Sequence, residues 1–68
     1  MTGKEFIRRV RRLARKRGVL VEVDDSAGRG HMQLYFGNRR TTLPGLGEMK
    51  TGTFHGMCKQ LGIDPKEL

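Results

Sequence analysis

The feature that most constrains the fold is a pair of extended runs joined by a two-residue turn signal. Apolar and polar residues alternate along residues 30–36, and a second run over residues 39–43 ends at Pro44. Gly37-Asn38 between them is typical of a tight hairpin turn, which requires positive φ angles. We therefore predict an antiparallel β-hairpin in which β-strands cover residues 30–36 and 39–43.

The period of two in the first of these strands separates its side chains onto two faces. One face carries Met32, Leu34 and Phe36. The other carries His31, Gln33 and Tyr35. Since the apolar face must be covered by the core, we expect the face with His31 to stay in contact with water.

A helix is predicted before the strands. Thr2 and Glu5 have the spacing of a capping box, which places the start of the helix near Gly3. The residues with helical spacing on one apolar stripe are Phe6, Val10, Leu13 and Ala14, with Ile7 beside them. Gly18 is a natural C-terminal stop for this helix.

A strand is predicted next, over residues 19–23, because β-branched residues alternate there. Val19, Val21 and Val23 would face the core, and a turn over residues 24–28 would follow.

A second helix is predicted after the loop that follows Pro44. Thr51 or Thr53 can serve as its N-cap, and Gly62 with Pro65 ends it. Its apolar stripe consists of Phe54, Met57, Cys58 and Leu61. The element order is α-β-β-β-α, and the expected fold class is α+β. We predict one domain over residues 1–68, with both helices on one face of a three-stranded antiparallel sheet.

The charge is strongly positive and unevenly distributed. The chain has 68 residues and a net charge of +7. The cations among the first seventeen residues, set against one acid, Glu5, are Lys4, Arg8, Arg9, Arg11, Arg12, Arg15, Lys16 and Arg17. Such a concentration indicates a polyanionic partner, which is a nucleic acid, an acidic protein or an anionic membrane surface.

Size and composition exclude several classes of site. A chain this short buries a thin core, so we expect no deep pocket and no cofactor. One cysteine, Cys58, excludes an internal disulfide and a cysteine-based zinc site, and it fits a reducing cytosol. His31 and His55 have no spacing typical of metal ligands, so no metal is expected. The apolar runs are too short to span a membrane, and no secretory h-region begins the chain.

His31 is the candidate catalytic residue. Histidine exchanges a proton near neutral pH, and an RNA strand supplies its own nucleophile in the 2′-hydroxyl. One histidine can therefore perform one proton transfer of a metal-free cleavage while cations stabilise the phosphorane. The candidate phosphate and base contacts are Arg29, Gly30, Tyr35, Arg39, Arg40 and Lys50.

The chain resembles the HicA family of bacterial toxins. The resemblance is carried by the element order, by a histidine that opens the second strand after Gly28-Arg29-Gly30, by residues 34–44 and by the closing run of residues 50–63. Gly30 takes the family's serine position, and His31 falls on its catalytic histidine. The resemblance implies a double-stranded-RNA-binding-domain-like fold. It further implies a cytoplasmic, metal-independent mRNA endoribonuclease that acts on single-stranded mRNA, blocks translation and is neutralised by a HicB-type antitoxin.

Three other interpretations remain open at the level of the sequence. A non-catalytic RNA-binding module would use the basic helix for affinity without cleaving RNA. A protein-interaction domain would dock the same helix on an acidic partner. A membrane-surface helix ranks below both, because the apolar face of this helix is modest and is needed for the core.

Overall fold

The computed structural model describes residues 1–25 and 31–68. The elements are helix α1 (Gly3–Arg17), strands β1 (Val21–Asp24), β2 (Met32–Phe36) and β3 (Arg39–Leu43), helix α2 (Thr51–Leu61) and a short 3₁₀ helix (Pro65–Glu67). The predicted order α-β-β-β-α and the α+β class are confirmed.

The three strands form one antiparallel sheet in the order β1-β2-β3. Val23 pairs with Leu34, and Leu34 pairs with Thr41, so these three side chains belong to one face. Leu34, Phe36 and Leu43 of that face are buried together with apolar residues of both helices. The core therefore lies between the sheet and the helices, as the alternating strand pattern predicts.

Helix α1 follows its sequence signals at both ends. Thr2 is the N-cap, and its Oγ1 accepts a hydrogen bond from the backbone N–H of Glu5 at 3.1 Å. Gly18 ends the helix in the left-handed conformation, with φ of 66°. The four residues of the predicted apolar stripe are buried, namely Phe6, Val10, Leu13 and Ala14.

A distant loop satisfies backbone N–H groups at the start of α1. The N–H groups of Gly3 and Lys4 donate to the carbonyls of Gly47 and Leu46, at 2.8 and 3.3 Å. We call this contact between residues 1–4 and 46–49 the N-terminal clamp. The Glu5 carboxylate, the predicted second partner in the capping box, accepts hydrogen bonds from Arg8 and Arg9 of its own helix.

Three strand boundaries differ from the sequence prediction. β1 begins at Val21 rather than Val19, although Val19 still packs against the core. The strand ends at Asp24, which pairs with Gln33 and so belongs to β1 rather than to the predicted turn. β2 begins at Met32, so His31 immediately precedes the strand. The predicted start at Gly30 lies outside the described residues. The Gly37-Asn38 turn is confirmed, with Gly37 at φ of 64°.

The predicted N-cap of α2 was wrong. Lys50 has the extended backbone of an N-cap (φ −72°, ψ 153°) and makes no side-chain capping bond, so Thr51 already lies in the first turn. The apolar stripe is confirmed, because Met57, Cys58 and Leu61 are buried and Phe54 packs edge-on against Phe6. Gly62 ends the helix at φ of 71°. None of the helices in the described part of the chain is long and apolar enough to cross a membrane.

Candidate nucleic-acid interface

The side of the sheet that faces away from the helices carries polar side chains in register. We call it the polar face. Its members are Glu22, Asp24, Gln33, Tyr35, Arg40 and Thr42. Tyr35 stands between Glu22 on β1 and Arg40 on β3, and Gln33 stands between Asp24 and Thr42. The face therefore changes from acidic on β1 to basic on β3.

His31 lies at one end of this sheet. It directly precedes Met32, which pairs with Leu43, the last residue of β3. The residue is exposed, and within residues 1–25 and 31–68 its imidazole has no hydrogen-bond partner. Among residues 1–25 and 31–68, no side chain hydrogen-bonded to the ring has to be displaced when a substrate approaches from solvent.

Tyr35 and Arg40 lie further along the same polar face. Strands rise about 3.3 Å per residue, so the four steps from His31 to Tyr35 correspond to roughly 13 Å. Gln33 lies between them, and its Nε2 donates to the Thr42 hydroxyl at 2.9 Å. The arrangement suits contacts with nucleotides next to the one at His31, rather than direct contact with the same phosphate.

Arg39 and Arg40 point to opposite sides of β3, although both are predicted phosphate contacts. Arg40 pairs with Tyr35 on the polar face. Arg39 reaches the end of α2, where a Cβ added to Gly62 would lie 3.1 Å from the Arg39 Nε. A cation at that position suits the negative end of the helix dipole. Arg39 thus lies away from the other polar-face candidates.

The remaining predicted contacts are distributed differently. Lys50 is exposed at the start of α2, beyond the loop that follows β3. Arg29 and Gly30 lie outside the described residues. His55 is exposed on α2, with its ring 5.4 Å from that of Phe54, as expected for a surface histidine.

Sequence reasoning missed the acidic edge of the polar face. The strand β1 pattern predicts that Glu22 points outward, but only the register shows that it lies opposite Tyr35. The same register joins Gln33 to Thr42 across β2 and β3. A pairing of the predicted strands residue by residue, counted from the Gly37-Asn38 turn, would have found the second pair.

Helix α1 carries a cluster of ion pairs around Glu5. Arg9 Nε donates to Glu5 at 3.0 Å, and Arg8 Nε donates to the same carboxylate at 3.0 Å. These hydrogen bonds lower the pKa of Glu5 from 4.5 to about 2, and the bond from Arg8 has the larger effect. The carboxylate therefore stays charged at neutral pH, and it neutralises part of the positive charge of the helix.

Cys58 belongs to the core and not to the polar face. It is buried on α2, and burial, followed by the nearby charge of Asp64, raises the pKa of its thiol. A raised pKa disfavours the reactive thiolate. Among the described residues there is no group of three His, Cys, Asp or Glu side chains that could hold a metal ion.

No family model, no curated protein and no solved structure matches the chain.

Proposed function

We propose that the protein is a metal-independent endoribonuclease of the HicA type that acts on mRNA in the cytoplasm and arrests growth as the toxin of a toxin–antitoxin pair. The observation that carries the proposal is the position of His31. The residue is exposed at the end of the polar face, where an extended strand can lie with no helix in the way.

The chemistry requires little from the protein. As the 2′-oxygen of a ribose bonds to the adjacent phosphorus, the bond from phosphorus to the 5′-oxygen breaks. His31 performs one of the two proton transfers, by accepting the proton of the 2′-hydroxyl or by supplying one to the leaving oxygen. Arg40 supplies positive charge along the same face, and Tyr35 offers a ring on which a neighbouring base can stack.

The proposed antitoxin is a HicB-type protein that covers His31. An exposed catalytic side chain on a sheet face is easily blocked by a partner, because no pocket has to be entered. The net charge of +7 would favour fast association with an acidic partner.

The two histidines of the chain provide a matched pair of variants for the test. We expect wild-type protein and His55→Ala to arrest bacterial growth and degrade mRNA after induction, because His55 is exposed on α2. His31→Ala should do neither, since it lacks the proposed proton-transfer group. Growth and mRNA integrity would be followed together, with soluble expression verified for each variant.

Cleavage of a labelled single-stranded RNA by purified protein in the presence of EDTA tests the chemistry directly. Cleavage should persist in EDTA. The cleavage rate of His31→Ala should be lower by about 100-fold or more, which is the usual contribution of general acid–base catalysis. Equal cleavage by His31→Ala and wild type would contradict the proposal. Loss of cleavage in EDTA would contradict its metal-independent form.

A non-catalytic RNA-binding module is the second candidate. The observation that favours it is the concentration of cations on α1, which is separate from the polar face with His31. In that case the wild-type protein would bind RNA and leave it intact, and His31→Ala would bind equally well.

A further inference from the structure

We propose that the outward face of α1 is a second RNA-binding surface, which holds the phosphate backbone on the side of the molecule opposite to His31. Affinity for RNA and the chemistry of cleavage would then belong to two separate surfaces of the protein. The surface on α1 would bind RNA whether or not the polar face cuts it.

The exposed part of α1 is entirely cationic. Every residue of the helix that is exposed is Lys or Arg, and we call this set the cation face. Its members are Lys4, Arg8, Arg11, Arg12, Arg15, Lys16 and Arg17. Arg8 and Arg17 bond to Glu5 and Glu67. In the described part of the chain, the other five have no acidic partner, so their charge is available to a ligand.

Part of the cation face forms a straight stripe. Lys4, Arg8, Arg11 and Arg15 follow the spacing i, i+4, i+7 and i+11, which keeps them on one side of a helix. At 1.5 Å of rise per residue the stripe is about 16 Å long. A nucleic-acid strand presents a phosphate every few ångströms along its axis, so several phosphates can meet the stripe at once.

The composition of the cation face favours a phosphate backbone over an acidic protein. Protein–protein interfaces have apolar or aromatic anchors at the centre, surrounded by polar residues. The cation face has no exposed apolar residue, because Phe6, Val10 and Leu13 are all turned into the core. A surface that offers charge and hydrogen-bond donors without an anchor fits a ligand whose own surface is charged along its length.

The two surfaces lie on opposite sides of the fold. The apolar stripe of α1 packs with Leu34 and Phe36, so the cation face points away from the sheet. The polar face points the other way, because its residues alternate with Leu34 and Phe36 along β2. One short RNA segment therefore cannot touch both, and a longer strand must pass around an edge of the molecule.

A pair of equal-charge variants tests the proposal. Arg11→Gln with Arg15→Gln removes two cations from the stripe, and Lys59→Gln with Lys66→Gln removes two exposed cations elsewhere. Both pairs are made in a His31→Ala background, so that the labelled single-stranded RNA probe stays intact. Affinity is measured as a function of salt, and circular dichroism verifies the fold of each variant.

We expect the Arg11/Arg15 variant to bind RNA about tenfold or more weakly at about 50 mM salt, with the slope of log K against log salt reduced by about 1.4. The Lys59/Lys66 variant should change both quantities much less. Equal losses in the two variants would overturn the proposal, since they would show a uniform effect of net charge. Displacement of RNA by polyglutamate at equal charge concentration would also overturn it, in favour of an acidic protein.

A separate measurement distinguishes failure of this proposal from failure of the proposed nuclease. In the wild-type background, Arg11→Gln with Arg15→Gln should raise the KM for a long RNA and leave kcat unchanged, because both residues are remote from His31. A fall in kcat would place α1 at the cleavage site and would contradict two separate surfaces.

Discussion

Glu5 is the one acid of an otherwise basic helix, and it holds two arginines at once. Arg8 and Arg9 both donate to its carboxylate, and Arg9 also donates to the Leu68 carbonyl at 3.0 Å. Glu5 thereby connects the first turn of α1 to the end of the described chain through Arg9. Its lowered pKa records how much the charged form is favoured in the folded protein.

The pH dependence of stability should report the Glu5 pairs. The pKa of Glu5 is about 2 in the folded protein and 4.5 ordinarily, so the unfolded chain binds a proton first as the pH falls. The contribution of Glu5 is complete above about pH 4.5 and is lost progressively towards pH 2. Chemical denaturation at several pH values should show a decline over this window that is smaller in Glu5→Gln.

Glu22→Gln is the matched control for that experiment. It makes the same change of charge at an exposed position of β1, where the described residues include no ion pair with Glu22. An identical decline in wild type, Glu5→Gln and Glu22→Gln would show that the arginine pairs of Glu5 do not contribute to stability.

Within the elements, glycines have opposite roles that depend on what surrounds them. Gly3 begins α1 within the N-terminal clamp, and a Cβ added there would lie 1.9 Å from the carbonyl oxygen of Gly45, just before the loop half of the clamp. Gly56 lies inside α2 and is exposed, with nothing within 4 Å of an added Cβ. The first glycine allows close packing, and the second leaves a helix without the side chain that would favour it.

Alanine substitutions should therefore change stability in opposite directions. Gly3→Ala should lower the free energy of unfolding by about 1–3 kcal/mol, because the clamp must move apart. Gly56→Ala should raise it by about 0.5–1 kcal/mol through helix propensity alone. Urea denaturation measures both. Destabilisation by Gly56→Ala would contradict this expectation, and it would indicate that the Gly56 face of α2 is in contact with another molecule.

The elements themselves were predictable because their patterns repeat over several residues. The stripe of α1 and the alternation of β2 each depend on several positions, and both are confirmed. The turn at Gly37 is confirmed as well, because the two strands on either side of Gly37-Asn38 leave the chain only two residues in which to reverse. The start of α2 was not predictable, because Thr51 and Thr53 are both suitable caps by residue type. The backbone at Lys50 decides the outcome, and the preceding loop sets that backbone.

The net positive charge of the protein opposes folding, and the repulsion is concentrated along α1. The helix contains pairs of arginines four residues apart, such as Arg8 with Arg12 and Arg11 with Arg15. Pairs of like charge at this spacing destabilise a helix. Salt screens exposed charges over a Debye length of about 8 Å at physiological ionic strength. The melting temperature should therefore rise by a few degrees as NaCl is added to low-salt buffer.

Arg11→Gln with Arg15→Gln provides the control for the salt effect. This variant should melt higher than wild type at low salt and respond less to added NaCl, because two of the repelling charges are absent. A wild-type melting temperature that falls with salt would mean that attractive pairs such as Glu5 with Arg8 outweigh the repulsion.

The candidate site was less predictable than the fold, because a site depends on which strands meet. Alternation along β2 indicates that His31 and Tyr35 share a side, and the register adds Arg40 to it. The same register places Arg39 with α2, which its position beside Arg40 in the sequence does not suggest. Residue type alone groups the two arginines, whereas the pleat of β3 separates them.

The N-terminal clamp has a consequence for the order in which the chain folds. Met1 and Glu48 meet across 47 residues of sequence, whereas Gln33 and Thr42 in the hairpin are 9 residues apart. Closing the longer loop costs more chain entropy before any contact compensates for it. The first turn of α1 should thus be the last part of that helix to gain protection from hydrogen exchange during refolding, after the hairpin has formed.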